Sequence, residues 1–261
     1  MLPFPLEILV VKYVVNPFSY NEYSQILHCI KKHHEIIDYS QVNKDTKQFA
    51  VIRHDVEFSV ERAYDFAKLE KTLEINTSYM FQIRNNAYNL FSNENIKMVR
   101  EINAMGHKIG LHVHLGGLSS FAEISKYILH DSKIMESFLQ IPINRFSFHR
   151  PPKEALKMNV KLEGLINTYE DRFFEFREEE DGFENLQIKY ISDSRHAWNY
   201  GYPDEKTIKA NSKIHFLFHP YSWTEHGFDN RLNFQSLKDE KVRVFTNTVK
   251  TECNHFSGHF Q

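Results

Sequence analysis

Two short stretches concentrate groups that could do chemistry. In "VIRHDVEFS", residues 51–59, His54, Asp55 and Glu57 stand at the end of an apolar run. In "GHKIGLHVHLG", residues 106–116, His112 and His114 follow another. Successive side chains on a strand point to opposite faces, so residues two apart share one. Asp55 then shares a face with Glu57, and His112 with His114. Two carboxylates and two imidazoles converging on one rim would suit zinc or another divalent transition metal. Such an ion acidifies water and polarises a carbonyl. Further along, His149-Arg150, Asp193 and His219 occupy comparable places.

These residues need elements to position them, and the chain supplies an alternation. "QFAVIRHDV" reads as a strand, and the stretch after it as an amphipathic helix capped by Ser59. "TSYMFQI" is a strand. The next helix runs from a Ser92 cap to a stop at Gly106. "KIGLHVH" is a third strand, followed by a long helix across "SFAEISKYILHDSKIMESFLQ", and "RFSFHRPP" is a fourth strand. "LEGLINTY" is expected to be a short helix, and "LQIKYISDS" and "KIHFLFHP" are further strands. Apolar strands alternating with helices argue for a parallel sheet covered by helices, either a barrel or a doubly wound sheet. Chemically capable residues at strand ends favour a barrel, whose site gathers at the carboxyl ends of its strands.

Taken singly, each candidate has a plainer explanation. A lone histidine is more often a surface or satisfied polar residue than a ligand. Asp55 could cap the helix that follows it, Arg150 could serve a structural ion pair, and Asp193 in "SDS" could be turn chemistry. Five strand ends in chain order, all carrying such groups, argue for a shared site.

Composition narrows the classes. The 261 residues are 41% hydrophobic, enough for a sizeable core. A net charge of −2 gives no global basic field for nucleic acid or an anionic membrane surface. The two cysteines, Cys29 and Cys253, form no CxxC pair, which fits a reducing compartment. The apolar N-terminus lacks a basic leader region and is broken by Pro3, Pro5, Glu7 and Lys12, so it reads as a strand rather than a signal peptide. No stretch reaches membrane-span length. A cytoplasmic protein is expected. An N-terminal strand/helix extension (1–45), a catalytic domain (46–230) and a C-terminal extension (231–261) that the pattern does not place complete the expected organisation.

Across residues 49–223 the motifs, in order, resemble those of the NodB-homology polysaccharide deacetylases, carbohydrate esterase family 4. "RHDVE" is similar to the family's first motif, and "NENIKMVREINAMGHKIGLHVH" to its histidine-containing stretch. "SFHRPP" resembles the Arg-Pro motif, "ISDS" with Trp198 the Asp/Trp motif, and "FLFHP" the final Leu-x-His motif. The resemblance implies an incomplete or distorted (β/α) barrel and metal-dependent removal of an acetyl group from a sugar or glycan. By this resemblance Asp55 would be the base, Arg150 would orient it and His219 would be the acid. Asp193 and Trp198 would lie near the acid and the substrate pocket. Glu57, His112 and His114 would hold the metal.

Two features depart from the family pattern. Val56 separates the two acids of the first motif, and Gly116 stands where a second histidine is usual. They resemble a divergent branch with HDV(D/E) motifs, often associated with bacterial surface-glycan genes. By that resemblance Asp55 would be either base or ligand, and His54 and His149 would be further ligand candidates. Hydrolysis of a non-sugar amide and non-catalytic glycan binding are the alternatives.

Overall fold

The computed structural model describes residues 17–175 and 187–253, together with the backbone of 178–179 and 182–183. The strand expected at residues 1–15 lies outside the described residues. The chain opens with helix α1 (Tyr20–His33) and continues through β1 (Phe49–Val56), α2 (Val60–Thr72) and β2 (Ser78–Phe81). Next come α3 (Asn93–Ala104), β3 (Lys108–His114), α4 (Phe121–Leu139), β4 (Arg145–His149) and α5 (Lys153–Lys157). β5 (Ile166–Asn167), a small hairpin of β6 (Glu178–Glu179) and β7 (Gly182–Phe183), and β8 (Lys189–Ser192) follow. The described chain ends with α6 (Glu205–Ala210), β9 (Lys213–Phe218) and α7 (Asn230–Glu252).

Seven strands form one sheet in the order β5-β4-β3-β2-β1-β9-β8, with every pair parallel. The sheet curls into an open half-barrel with helices outside it, an incomplete (β/α) barrel. β1 shows how the strands divide their side chains. Ala50 and Ile52 pack outward with Tyr23, Leu27 and Ile30 of α1, whereas Arg53 and Asp55 face the barrel interior. β1 is buried along its whole length, as a central parallel strand must be.

The local signals for helix starts are seen in the contacts. Ser59 Oγ accepts from the Arg62 N–H at 3.1 Å, and Ser92 Oγ from the Asn95 N–H at 3.3 Å. Gly106, with φ +108°, takes the chain out of α3. Gly110 faces the interior where strands crowd, and a Cβ there would run into Met80 Sδ and Arg145 Cγ.

One expectation needs correction, and one segment that the pattern left unplaced takes a definite form. "LEGLINTY" is not a helix: Ile166 N–H donates to Asn144 O and Thr168 N–H to Phe146 O, so this segment extends the sheet beside β4. Its apolar spacing mimics a helical period, but Gly164 at φ +76° breaks it and the open ladder edge of β4 captures the backbone. The weakly patterned tail contains the 23-residue helix α7. A polar clamp rather than an apolar stripe seats it. The Arg62 guanidinium donates to Tyr221 O (2.6 Å), Asn233 Oδ1 (2.7 Å), Ser236 Oγ (2.7 Å) and Glu240.

Candidate metal and catalytic site

The carboxyl ends of the strands open into a cavity of about 660 Å³, a size typical of small-ligand sites. Asp55, Glu57, His112 and His219 line its floor, and Phe58, Tyr221 and Phe234 form an aromatic wall. Those three rings pack together with centroid separations of 4.8–6.1 Å.

A compact donor set meets this floor: Glu57 and His112 line it, and His149 adjoins them. Glu57 Oε1 is 2.9 Å from His149 Nδ1 and 3.7 Å from His112 Nε2, and the two ring nitrogens are 3.3 Å apart. Ligands about 2.0–2.1 Å from a tetrahedral zinc stand ~3.3 Å from one another. One carboxylate and two imidazoles at these separations fit a first-row divalent cation. The surroundings of His112 orient it for that task. Its Nδ1–H donates to Ser147 Oγ at 2.7 Å, and Ser147 O–H donates to Asp55 Oδ1 at 3.1 Å. With Nδ1 so engaged, Nε2 faces the other two donors.

The third donor is His149, where the sequence spacing pointed to His114. His114 ends β3 at an exposed position, and its Nδ1 accepts from the Gly116 N–H at 3.2 Å. Gly116 and Gly117, with φ +58° and +92°, turn the chain back at that point. His114 pairs in register with His149, and their rings lie 5.3 Å apart, so His114 stands beside the set without joining it. The pattern of β4 carried a signal for His149: in "RFSFH", Arg145, Ser147 and His149 alternate with Phe146 and Phe148. His54 is excluded by the same parity. It points out of the barrel and donates to Glu70 Oε1 at 2.9 Å.

Asp55 is buried but not part of the donor triplet. Its Oδ1 lies 3.8 Å from Nδ1 of His112, on the side of that ring away from Nε2. Arg150, expected to orient it, is exposed at the cavity mouth, following β4 with φ +47°. Arg53 takes that place, with Nε 3.2 Å from Asp55 Oδ1. The two share a strand face at i and i+2, a relation visible in the sequence. Arg53 is fully buried, stacks 4.3 Å over Tyr169, and donates to Thr168 Oγ1 (2.9 Å) and Tyr169 O–H (2.7 Å). Its third hydrogen-bond partner is His215 Nε2 at 3.2 Å, an acceptor because Nδ1–H donates to Phe173 O. Burial and the Arg53 charge push the His215 pKa well below the usual imidazole value, keeping that ring neutral. For Asp55, burial raises the pKa, but Arg53 and then His112 outweigh it and hold the carboxyl below its ordinary value.

On the opposite side stands His219, with Nε2 4.0 Å from Glu57 Oε1. Its Nδ1–H donates to Asp193 Oδ1 at 2.6 Å, and its backbone N–H lies 3.0 Å from both Asp193 oxygens. Trp223 Nε1–H donates to Asp193 Oδ2 at 2.7 Å, fixing the carboxylate from behind. Burial alone would lower the pKa of His219, but Asp193 raises it to about 9. Trp198 packs on Phe18, Phe218 and Trp223 and is not among the described residues lining the cavity.

No family model matches the chain, and no curated protein matches it. Among solved structures, it is similar to a CE4-family pseudoenzyme from Bacillus anthracis, with 13% identity over 76% of this chain and 63% of that one, and a TM-score of 0.42. It is similar to the chitin deacetylase from Colletotrichum lindemuthianum, with 13% identity over 74% of this chain and 81% of that one, and a TM-score of 0.42. It is also similar to the Bdellovibrio bacteriovorus peptidoglycan deacetylase, with 12% identity over 81% of this chain and 54% of that one, and a TM-score of 0.40. The chain spans under two thirds of the length of both bacterial proteins. Among the described residues, no helix is long and apolar enough to cross a membrane.

Proposed function

We propose that the protein is a metal-dependent hydrolase that removes an acyl group, acetyl in the simplest case, from an amino sugar or glycan intermediate of surface-polysaccharide synthesis. The observation that carries this reading is the floor of the cavity. There the Glu57, His112 and His149 donor set lies between an arginine-held carboxylate and an aspartate-held imidazole.

A divalent cation held by Glu57, His112 and His149 would supply Lewis acidity to polarise the acyl carbonyl and acidify water. The protein's own groups account for the proton movements. Asp55, kept ionised by Arg53, takes a proton from the attacking water as its oxygen bonds to the acyl carbon. The C–N bond then breaks, and His219 Nε2–H donates a proton to the departing nitrogen. An amine leaves poorly as an anion, so an amide substrate needs this acid, whereas an ester needs it less. Asp193 stabilises the protonated His219 and orients its ring. The products are a carboxylate and a free amine. The aromatic wall of Phe58, Tyr221 and Phe234 offers apolar faces for the C–H face of a sugar ring.

Acetate release from N-acetylated amino sugars, measured together with metal content, tests the reading. About one equivalent of a divalent metal and metal-dependent acetate release are expected. Failure to take up metal on reconstitution would overturn it.

A further inference from the structure

Two guanidinium groups at the cavity mouth have no role in the chemistry just described. Arg150 follows β4 directly after His149, and Arg195 follows β8 two residues after Asp193. Both are exposed and both line the cavity. β8 ends the sheet on one side and β4 is second from the other end, so the two arginines flank the opening from opposite flanks. Each sits at a left-handed backbone position, φ +47° for Arg150 and +62° for Arg195, which a non-glycine residue adopts against a steric cost.

Neither guanidinium has a hydrogen-bond or ion-pair partner among the described residues. The described acids lining the cavity are Asp55 and Glu57, both on the floor. Arg53 already balances Asp55, and Glu57 belongs to the metal set with His112 and His149. The two mouth arginines are therefore not needed to neutralise the site. Ser194, Asn199 and Asn230 add uncharged polar groups on the Arg195 side. The site has a cationic rim above a metal-binding floor, in a chain whose net charge is −2.

We infer that the substrate is an anionic, phosphorylated acylamino sugar whose phosphate is held at the mouth by Arg150 and Arg195, with its acyl group on the floor. The inference rests on the hydrolase reading for the acyl end alone. Planar guanidinium forks match phosphate oxygens in pairs, which is the recognition that arginine performs best. A sugar 1-phosphate and a sugar joined to a nucleoside diphosphate present the same chemistry.

The test is calorimetric titration of the full, metal-loaded chain with three ligands: an N-acetylhexosamine 1-phosphate, its nucleoside-diphosphate ester, and the uncharged methyl glycoside. Acetate release is followed in parallel. The phosphorylated ligands should bind about tenfold or more tightly than the methyl glycoside, with an advantage that shrinks at high salt. Arg150→Ala/Arg195→Ala should erase that advantage, and Arg150→Lys/Arg195→Lys should restore part of it. Tighter binding of the nucleoside-diphosphate ester than of the 1-phosphate assigns the diphosphate as the source; equal binding assigns the monophosphate. Equal affinity for charged and uncharged sugars, no binding of the phosphorylated ones, or a preference that survives the double alanine variant would each overturn the inference. A charge preference without acetate release from any ligand would sink the hydrolase reading and leave the phosphate site standing.

Discussion

His54 and Asp55 are neighbours on β1, yet they belong to two buried polar clusters with opposite characters. His54 faces outward into a buried cluster around Glu70. That carboxylate receives Tyr23 O–H (2.6 Å) and His54 (2.9 Å) on Oε1, and Tyr79 O–H (2.7 Å) and Thr77 O–H (2.9 Å) on Oε2. Both oxygens of Glu70 are saturated, and the residue is fully buried. Asp55 faces inward to a cavity where Glu57, His112 and His149 bring one carboxylate oxygen and two ring nitrogens within 2.9–3.7 Å of one another. A buried carboxylate with both oxygens filled by donors holds a fold together. A cluster that gathers like groups around an opening is arranged for something to arrive. Both clusters contain histidine and carboxylate, so residue type does not separate them; what does is that donors fill both oxygens of Glu70, whereas Glu57 stands beside two imidazole nitrogens at a cavity.

Substitutions can break this contrast. The largest effect is expected on the open side: Glu57→Gln should reduce bound metal from about one equivalent to about a tenth or less and abolish hydrolysis while the far-ultraviolet circular dichroism is unchanged. Mass-spectrometric metal content and acetate release read both; retained metal would remove Glu57 from the donor set. Asp193→Asn should keep the metal but slow hydrolysis by about 10²–10⁴, the usual contribution of a positioned acid. A loss of metal instead would show that Asp193 supports the floor rather than His219.

On the Glu70 side, Glu70→Ala should cost about 3–5 kcal/mol in denaturant unfolding, the range for breaking a buried charged network, without changing metal stoichiometry in the folded protein. The pH dependence sharpens this. Burial raises the Glu70 pKa, but His54 and the other partners hold it at about 2, below the ordinary 4.5. A depressed carboxylate stabilises the fold above its unfolded pKa. Stability from Glu70 is therefore full above about pH 5 and lost as pH falls toward 2, and Glu70→Gln should flatten that part of the profile. An unchanged slope would mean that other carboxylates dominate acid unfolding. The smallest effect is expected for His114→Ala, which should leave both metal content and stability within about 0.5 kcal/mol of the parent protein. Loss of metal in that variant would return His114 to the donor set.

Much of this arrangement is legible along the chain, and the parts that are not have identifiable causes. Short-range signals worked where one residue governs one local event. Ser59 and Ser92 start helices, and Gly106 ends one. Strand parity, followed further, would have pointed to Arg53 as the partner of Asp55 and to Ser147 and His149 as one inward face. The motif resemblance instead drew attention to Arg150, and parity and resemblance together drew it to His114. Parity cannot show how far a strand's last residue is carried away by the following turn, and that decided His114. Nor could apolar spacing foresee the end of "LEGLINTY" or the seating of α7. The first depends on a free ladder edge of β4, and the second on Arg62, more than 150 residues away.

By itself, the sequence determined the alternating strands and helices, the helix caps, and the placement of ionisable residues at strand ends. These follow from backbone sterics and side-chain periodicity within a few residues. Only the tertiary structure decided which of those residues meet. The curl of the sheet brings β1, β3, β4 and β9 to one opening, so Glu57, His112, His149 and His219 converge from positions as much as 162 residues apart. The physical reason is that ligand separation is set by strand order and register, which depend on pairing between distant segments.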